Sequence, residues 1–141
     1  TQIINVKSPL IFVSIFEENL ESNSNFHCIE NVLKEQFVKF YGAKFTNNES
    51  IANLIVKGEF NTKPKGDPYQ HSKTSPILYN AYAEFKFYIF DNLYNKEIYS
   101  KTVNSIGKSF IGFEDAGKDG CKRIEEKISE KEFEKIMKAL E

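Results

Sequence analysis

Tryptophan is absent from this chain, arginine occurs once, at position 123, and cysteine and histidine occur twice each. Each scarcity excludes something. Bidentate reading of phosphate or guanine depends on the arginine fork, and the 19 basic and 20 acidic residues are mixed along the chain with no basic stripe. A nucleic-acid partner is not expected. Cys28 and Cys121 form neither a CxxC pair nor a disulfide framework. They can meet only if their two helices share a face, and an oxidising periplasm would then allow a disulfide. Two histidines and no organised acid–base set leave little for an enzyme and call for no cofactor or metal. No apolar run of membrane-spanning length is present. The chain opens at Thr1 without methionine, so residues 1–141 are expected to be one domain, the processed or truncated part of a longer precursor.

What is abundant builds a core. Hydrophobic residues make up 40% and aromatics 14% of 141 residues, enough to bury roughly two thirds of the unfolded surface. The clearest pattern runs from Leu78 to Ile106. Tyr79, Ala81, Ala83, Phe85, Phe87 and Ile89 alternate with Asn80, Tyr82, Glu84, Lys86, Tyr88 and Phe90, the period of a strand with two different faces. The DNLYNK segment turns the chain, and Glu97 to Ile106 runs back as a β-rich strand.

Leu10–Phe16 is nearly all apolar and predicts a strand covered on both faces. Phe26, Ile29, Leu33, Phe37 and Phe40 recur at three or four and predict a helix, with Ser24 or Asn25 as N-cap and Gly42 ending it. Residues 43–45 read as a short strand and 52–60 as a longer one, Gly58 marking a bulge or a close backbone approach. Residues 61–76 hold three of the four prolines and little to bury: a functional loop or a loose hairpin tip. Phe113, Ala116, Gly120, Ile124 and Ile128 share one helical face beside Gly117 and Cys121. Small residues there make sense if the helix lies very close to a sheet. Ser129–Glu132 has the capping-box pattern, followed by a last amphipathic helix. This order predicts an α/β (α+β) fold, a single mixed sheet of about five strands with helices packed on it.

Several constellations invite chemistry. His27 and Cys28 are helix neighbours and diverge by about 100°, so the plainer reading is one solvated and one small packed residue. Asp67 and His71, with Tyr69 between them, sit on the proline-containing loop. They are loop candidates for ligand binding, too few for a metal. Glu17, Glu18 and Glu21 read as a solvated acidic loop before paired catalytic carboxylates. The glycines of 106–120 match no phosphate-loop spacing. Tyr82, Tyr88 and Phe90, with Tyr99 from the returning strand, carry the most weight. Under a second layer of helices they are core; on an open face, flanked by Lys86 and Lys101, they form a protein-binding surface. The long hairpin edge can also accept a partner strand.

The ordered set LIFVSIFEEN, KFYGAKF, ANLIVKGEF, AEFKFYIFDNLYNKEIYSKTV and IGKSFIGFEDAGKDGCKRI resembles the α/β domain of the TolB amino-terminal domain, the curli channel CsgG and the activator LpoB. It covers roughly residues 10 to 128. The resemblance implies an anticodon-binding-domain-like sheet and a non-catalytic cell-envelope domain, periplasmic or outer-membrane-associated. It further implies binding to another envelope protein or self-association, with membrane contact only through a lipid anchor. The chain departs from the pattern at Asn53, where the family often has Asp, and has no lipid-attachment cysteine near its start. The alternative is a small-ligand or peptidoglycan-associated module using loop 61–76. An accessory domain of a longer protein is a further reading.

Overall fold

The alternation in the long hairpin governs the whole architecture, because each strand beside it repeats the same split between faces. The computed structural model describes residues 8–22 and 27–141. Six strands form one mixed sheet: β1 (Leu10–Glu17), β2 (Lys44–Phe45), β3 (Leu54–Pro64), β4 (Tyr69–Gln70), β5 (Ile77–Asp91) and β6 (Lys96–Ser109). β1 runs parallel to both β2 and β3, whereas β3, β5 and β6 are successively antiparallel. The helices are α1 (Ile29–Tyr41), α2 (Phe113–Lys127) and α3 (Phe133–Leu140). All three pack on one face, where Ile11, Ile15, Leu54, Val56, Phe60, Ala83, Phe85, Phe87 and Ile89 meet Leu33, Phe37, Ile124, Phe133 and Ile136. The sheet is therefore covered on one side and not on the other, so β1 is not the doubly buried strand its composition predicts. Phe16 is 52% exposed.

Helix α1 buries Ile29, Leu33 and Phe37 as expected and ends on left-handed Gly42, whose N–H reaches the Val38 carbonyl at 2.9 Å. Phe40 departs from the predicted stripe: it is largely exposed and stacks on Phe133. Phe26 and the expected caps Ser24 and Asn25 lie outside the described residues. A cap comes instead from Glu17 at the end of β1. It is buried, and its carboxylate accepts from the backbone N–H groups of Cys28 (2.7 Å), Ile29 (2.7 Å) and Glu30 (3.1 Å). Glu17 thus leaves the solvated loop to which composition assigned it and satisfies the orphan donors at the positive end of the helix. Glu17→Ala is expected to cost about 2 kcal/mol, read as a lower urea midpoint with unchanged slope.

Helix α2 lies against β5 and β6 through Ala116, Gly117, Gly120 and Cys121. Its glycines are contact points. A Cβ on Gly117 would collide with the Asn19 carboxamide, which is buried there, donates to the Glu114 carbonyl at 2.9 Å and accepts from Thr62 Oγ1 at 2.5 Å. Gly58 is the predicted close approach of two backbones, since its Cβ would sit 2.5 Å from the Lys86 carbonyl oxygen. The expected capping box is not formed. Ser129 Oγ donates back to the Glu125 carbonyl at 3.0 Å, and the chain runs from α2 into α3 through a π-helical turn over Ile128–Glu132. At the hairpin turn Asp91 is buried, and its Oδ1 accepts from the N–H groups of Leu93 and Tyr94.

The two cysteines meet across α1 and α2. Cys28 and Cys121 form a disulfide with Cα atoms 6.6 Å apart, within the span such bonds allow. It ties the start of α1 to the middle of α2.

Candidate functional site

The uncovered face is laid out by strand register. Directly paired residues point the same way, which gives rows running from β1 or β3 to β6. These are Phe12, Ile55, Phe90 and Glu97; Ser14, Lys57, Tyr88 and Ser100; Phe16, Glu59, Lys86 and Thr102; Asn61, Glu84 and Asn104; Lys63, Tyr82 and Ile106. One corner is shielded by the short turn at Glu49–Ile51, where Glu49 pairs with Lys57 at 2.9 Å. The rest faces outward, including Tyr82 at 44% and Tyr88 at 37% exposure.

Charge breaks the aromatic strip in two. Glu84 and Lys86, 3.5 Å apart as an ion pair, stand between Tyr82 and Tyr88. A groove of about 800 Å³ includes Phe16, Lys57, Lys86, Tyr88, Lys101 and Thr102 in its lining. A second, of about 960 Å³, includes Lys63, Tyr82, Asn104, Ile106 and Lys108 and rolls over the β6 edge to Arg123 and Lys127 of α2.

Of the predicted residues, Tyr88, Lys86 and Lys101 line the first groove and Phe90 adjoins it, while Tyr82 belongs to the second. Tyr99 is a correction. Its partner across the ladder is Ile89, on the covered face, and its hydroxyl donates to Glu132 Oε2 at 2.9 Å. Burial first, then that hydrogen bond and the Glu132 charge, push its phenol up to about 12. The register shift at Ile89/Phe90 explains the misplacement: it places Glu97, not Ile98, opposite Phe90, and side-chain parity counted through the turn fails there. Lys101 likewise pairs with Phe87, a covered-face residue, and reaches the groove from the sheet edge.

The loop candidates Asp67, Tyr69 and His71 are exposed on the hairpin tip carrying β4. Tyr69 Oη lies 3.4 Å from His71 Nδ1, a surface pair that nothing buried holds in place. His27 is exposed, as expected. Two backbone groups on the β6 edge are already engaged by α2 side chains. Asp119 accepts from the Lys108 N–H at 2.8 Å and Lys127 donates to the Asn104 carbonyl. These contacts blunt the edge against a partner strand.

Among the described residues, Glu17, Cys28 and Cys121 bring potential metal donors within 4.8 Å of one another. The sulfurs are bonded to each other and the Glu17 oxygens are taken by the α1 terminus, so this cluster is structural. Glu125 Oε1 lies 2.8 Å from Cys28 Sγ, a contact that is not a hydrogen bond because a bridged sulfur has no proton to give. Burial, then the charges of Glu17 and Glu35, raise the Glu125 carboxyl above the ordinary glutamate range. The folded state therefore holds this proton longer than the unfolded one, and stability falls as pH rises from the ordinary range through the raised value. Glu125→Gln is expected to stabilise the domain at neutral pH and to change little in acid, read from urea midpoints across a pH series.

Phe16, Lys63, Ile106, Lys108, Arg123 and Lys127 line the grooves but carry no sequence signal of their own. Phe16 ends an apolar run that reads as fully covered, and the cations gather only through the hairpin register.

No protein-family model and no curated protein matches the chain. Solved structures do. One from Helicobacter pylori, described as a homologue of the neuraminyllactose-binding hemagglutinin, aligns over 91% of this chain and 86% of its own with a TM-score of 0.51 and 12% identity. The PelC dodecamer of Paraburkholderia phytofirmans covers 85% and 89% at 0.42 and 13% identity. A minor lipoprotein of Acinetobacter baumannii covers 86% and 95% at 0.39 and 13%. The first likeness establishes a shared fold and nothing about activity; the other two are too distant to establish that much. What the chain shares with the Helicobacter pylori protein is its fold, here one mixed sheet with helices packed against it.

Proposed function

We propose that this chain is a non-catalytic domain of the bacterial cell envelope that binds another protein, or copies of itself, through the uncovered face of its sheet. The observation that carries the reading is the one-sided packing of the helices, which leaves Phe16 and Tyr88 facing outward in one groove with Lys86 and Lys101 at its margin and partly exposed Phe90 beside it. Aromatic residues with a charged rim are the composition of interface anchors. Two further facts support it. The strand and helix textures resemble those of TolB, CsgG and LpoB, and a disulfide persists in oxidising compartments. Any membrane contact the domain makes runs through a lipid anchor. No helix among the described residues is long and apolar enough to span a bilayer.

Sedimentation velocity over a concentration series, with photo-crosslinking from position 102 of the same groove in the native host, tests this. A self-associated species, or a single crosslinked envelope protein, that disappears in the Phe16→Glu, Tyr88→Glu variant is the expected result. A monomer giving no crosslink sinks the reading. A second reading, a ligand-binding module at loop 61–76, is favoured by one observation: Lys63 and Lys65 both place their ammonium groups 5.8 Å from the centre of the Tyr82 ring.

A further inference from the structure

The larger groove collects more positive charge than negative. Lys63 and Lys65 stand over Tyr82, Lys108 lies on the next row of the same face, and Lys127 reaches in from α2. Lys127 spends its hydrogen bond on a neutral acceptor, the Asn104 carbonyl. Two carboxylates stand at the groove, each already in an ion pair: Asp119 with Arg123 at 2.8 Å, and Glu84, itself in the lining, with Lys86 at 3.5 Å. A chain of net charge −1 thus gathers at this groove four lysines that form no ion pair among the described residues, two of them over one exposed ring.

The remaining lining narrows the ligand. Asn61, Asn104 and Ser105 offer carboxamide and hydroxyl groups, which both donate and accept and so suit a partner rich in hydroxyls. Tyr82 and Ile106 form an apolar platform between them, each partly exposed. At about 960 Å³ the groove stands at the upper end of the usual ligand range of roughly 300–1,000 Å³, more room than one small anion needs. Nucleic acid fits less well, because the single arginine is held by Asp119 and one ring cannot stack successive bases. We infer that the groove between Tyr82 on the open face and Lys127 on α2 binds an acidic oligosaccharide, its carboxylates meeting the lysines and a sugar ring lying on Tyr82.

The site is distinct from the groove at Phe16 and Tyr88, so the two proposals fail separately. Isothermal titration of the full chain with hexagalacturonate at low salt tests this one, with maltohexaose and hexaglutamate as controls. Binding is expected for hexagalacturonate alone. It should weaken about tenfold in Tyr82→Ala, be retained in Tyr82→Phe, and weaken by at least about tenfold in the Lys63→Gln, Lys127→Gln double variant. Raising the salt should weaken it as well. These side chains are exposed, so each variant is expected to keep the parent's circular dichroism spectrum, which is to be recorded alongside. No binding by hexagalacturonate overturns the inference. Equal binding by hexaglutamate also overturns it, since the groove would then read charge without sugar, and so does an affinity unchanged in Tyr82→Ala.

Discussion

Replacing Gly107 by alanine is expected to cost on the order of 3 kcal/mol or more, the largest loss from a single methyl anywhere in the sheet. Gly107 faces α2 from β6, and an added Cβ would run into the Ala116 carbonyl and the Gly120 backbone, reaching 2.8 Å from Gly120 Cα. Those atoms belong to a helix backbone and cannot rotate aside as a long side chain would. Either α2 lifts from the sheet or β6 bends, and both loosen the packing of Ala83, Cys121 and Ile124. Chemical denaturation should show a much lower midpoint, and amide exchange should quicken along α2 before β3. Gly120→Ala is a subtler companion. Its Cβ would meet Ala83 Cβ at 2.8 Å, yet alanine in a helix interior is worth about 1 kcal/mol over glycine. In an Ala83→Gly background the clash is relieved and the propensity gain remains, so Gly120→Ala should stabilise by up to about 1 kcal/mol there. A large loss in both backgrounds would show that the contact with Ala83 is not what fixes the helix height.

The second large effect concerns the disulfide. Cys28 and Cys121 are 93 residues apart, so their bond constrains most of the unfolded chain. Loop-closure entropy for a loop near this length is worth about 4–5 kcal/mol. Reduction, or the Cys28→Ser, Cys121→Ser double variant, is expected to lower stability by about that amount. The denaturant slope should also rise, because the freed unfolded chain exposes more surface. The check is a pair of urea titrations with and without a reducing agent, the bond itself being counted by alkylation and mass. An unchanged midpoint on full reduction would mean that α1 and α2 are held by packing alone.

The parts of this fold written locally were legible in the sequence. The two-residue period of β5 assigned each of its side chains to the correct face. Helix α1 was legible because Ile29, Leu33 and Phe37 obey helical spacing, and the small residues of α2 announced a close helix–sheet contact. What failed depended on distant partners. Whether Tyr82 and Tyr88 were core or surface turned on how many faces the helices cover, and no strand encodes that. Tyr99 was misplaced because a single register shift inverts parity for everything beyond it. Glu17 looked like a solvated acid because its partners, the N–H groups opening α1 at Cys28, Ile29 and Glu30, are more than ten residues away in sequence. The second groove was illegible for the same kind of reason: Lys63, Lys108 and Lys127 come from three elements that only the folded register brings together.

The one-sided covering of the sheet has a consequence for how such a chain can change over time. Side chains that point at the helices answer to neighbours on several elements, and an error there threatens the whole molecule. Those that point the other way answer mainly to the residues beside them on the sheet. A library randomising Phe16, Lys86, Tyr88 and Thr102 should therefore return mostly folded proteins, whereas one randomising Ala83, Phe85, Gly107 and Gly120 should return few. Such a scaffold can exchange one binding partner for another while its interior stays as it is. Two copies diverged until little sequence is common would still share the same architecture.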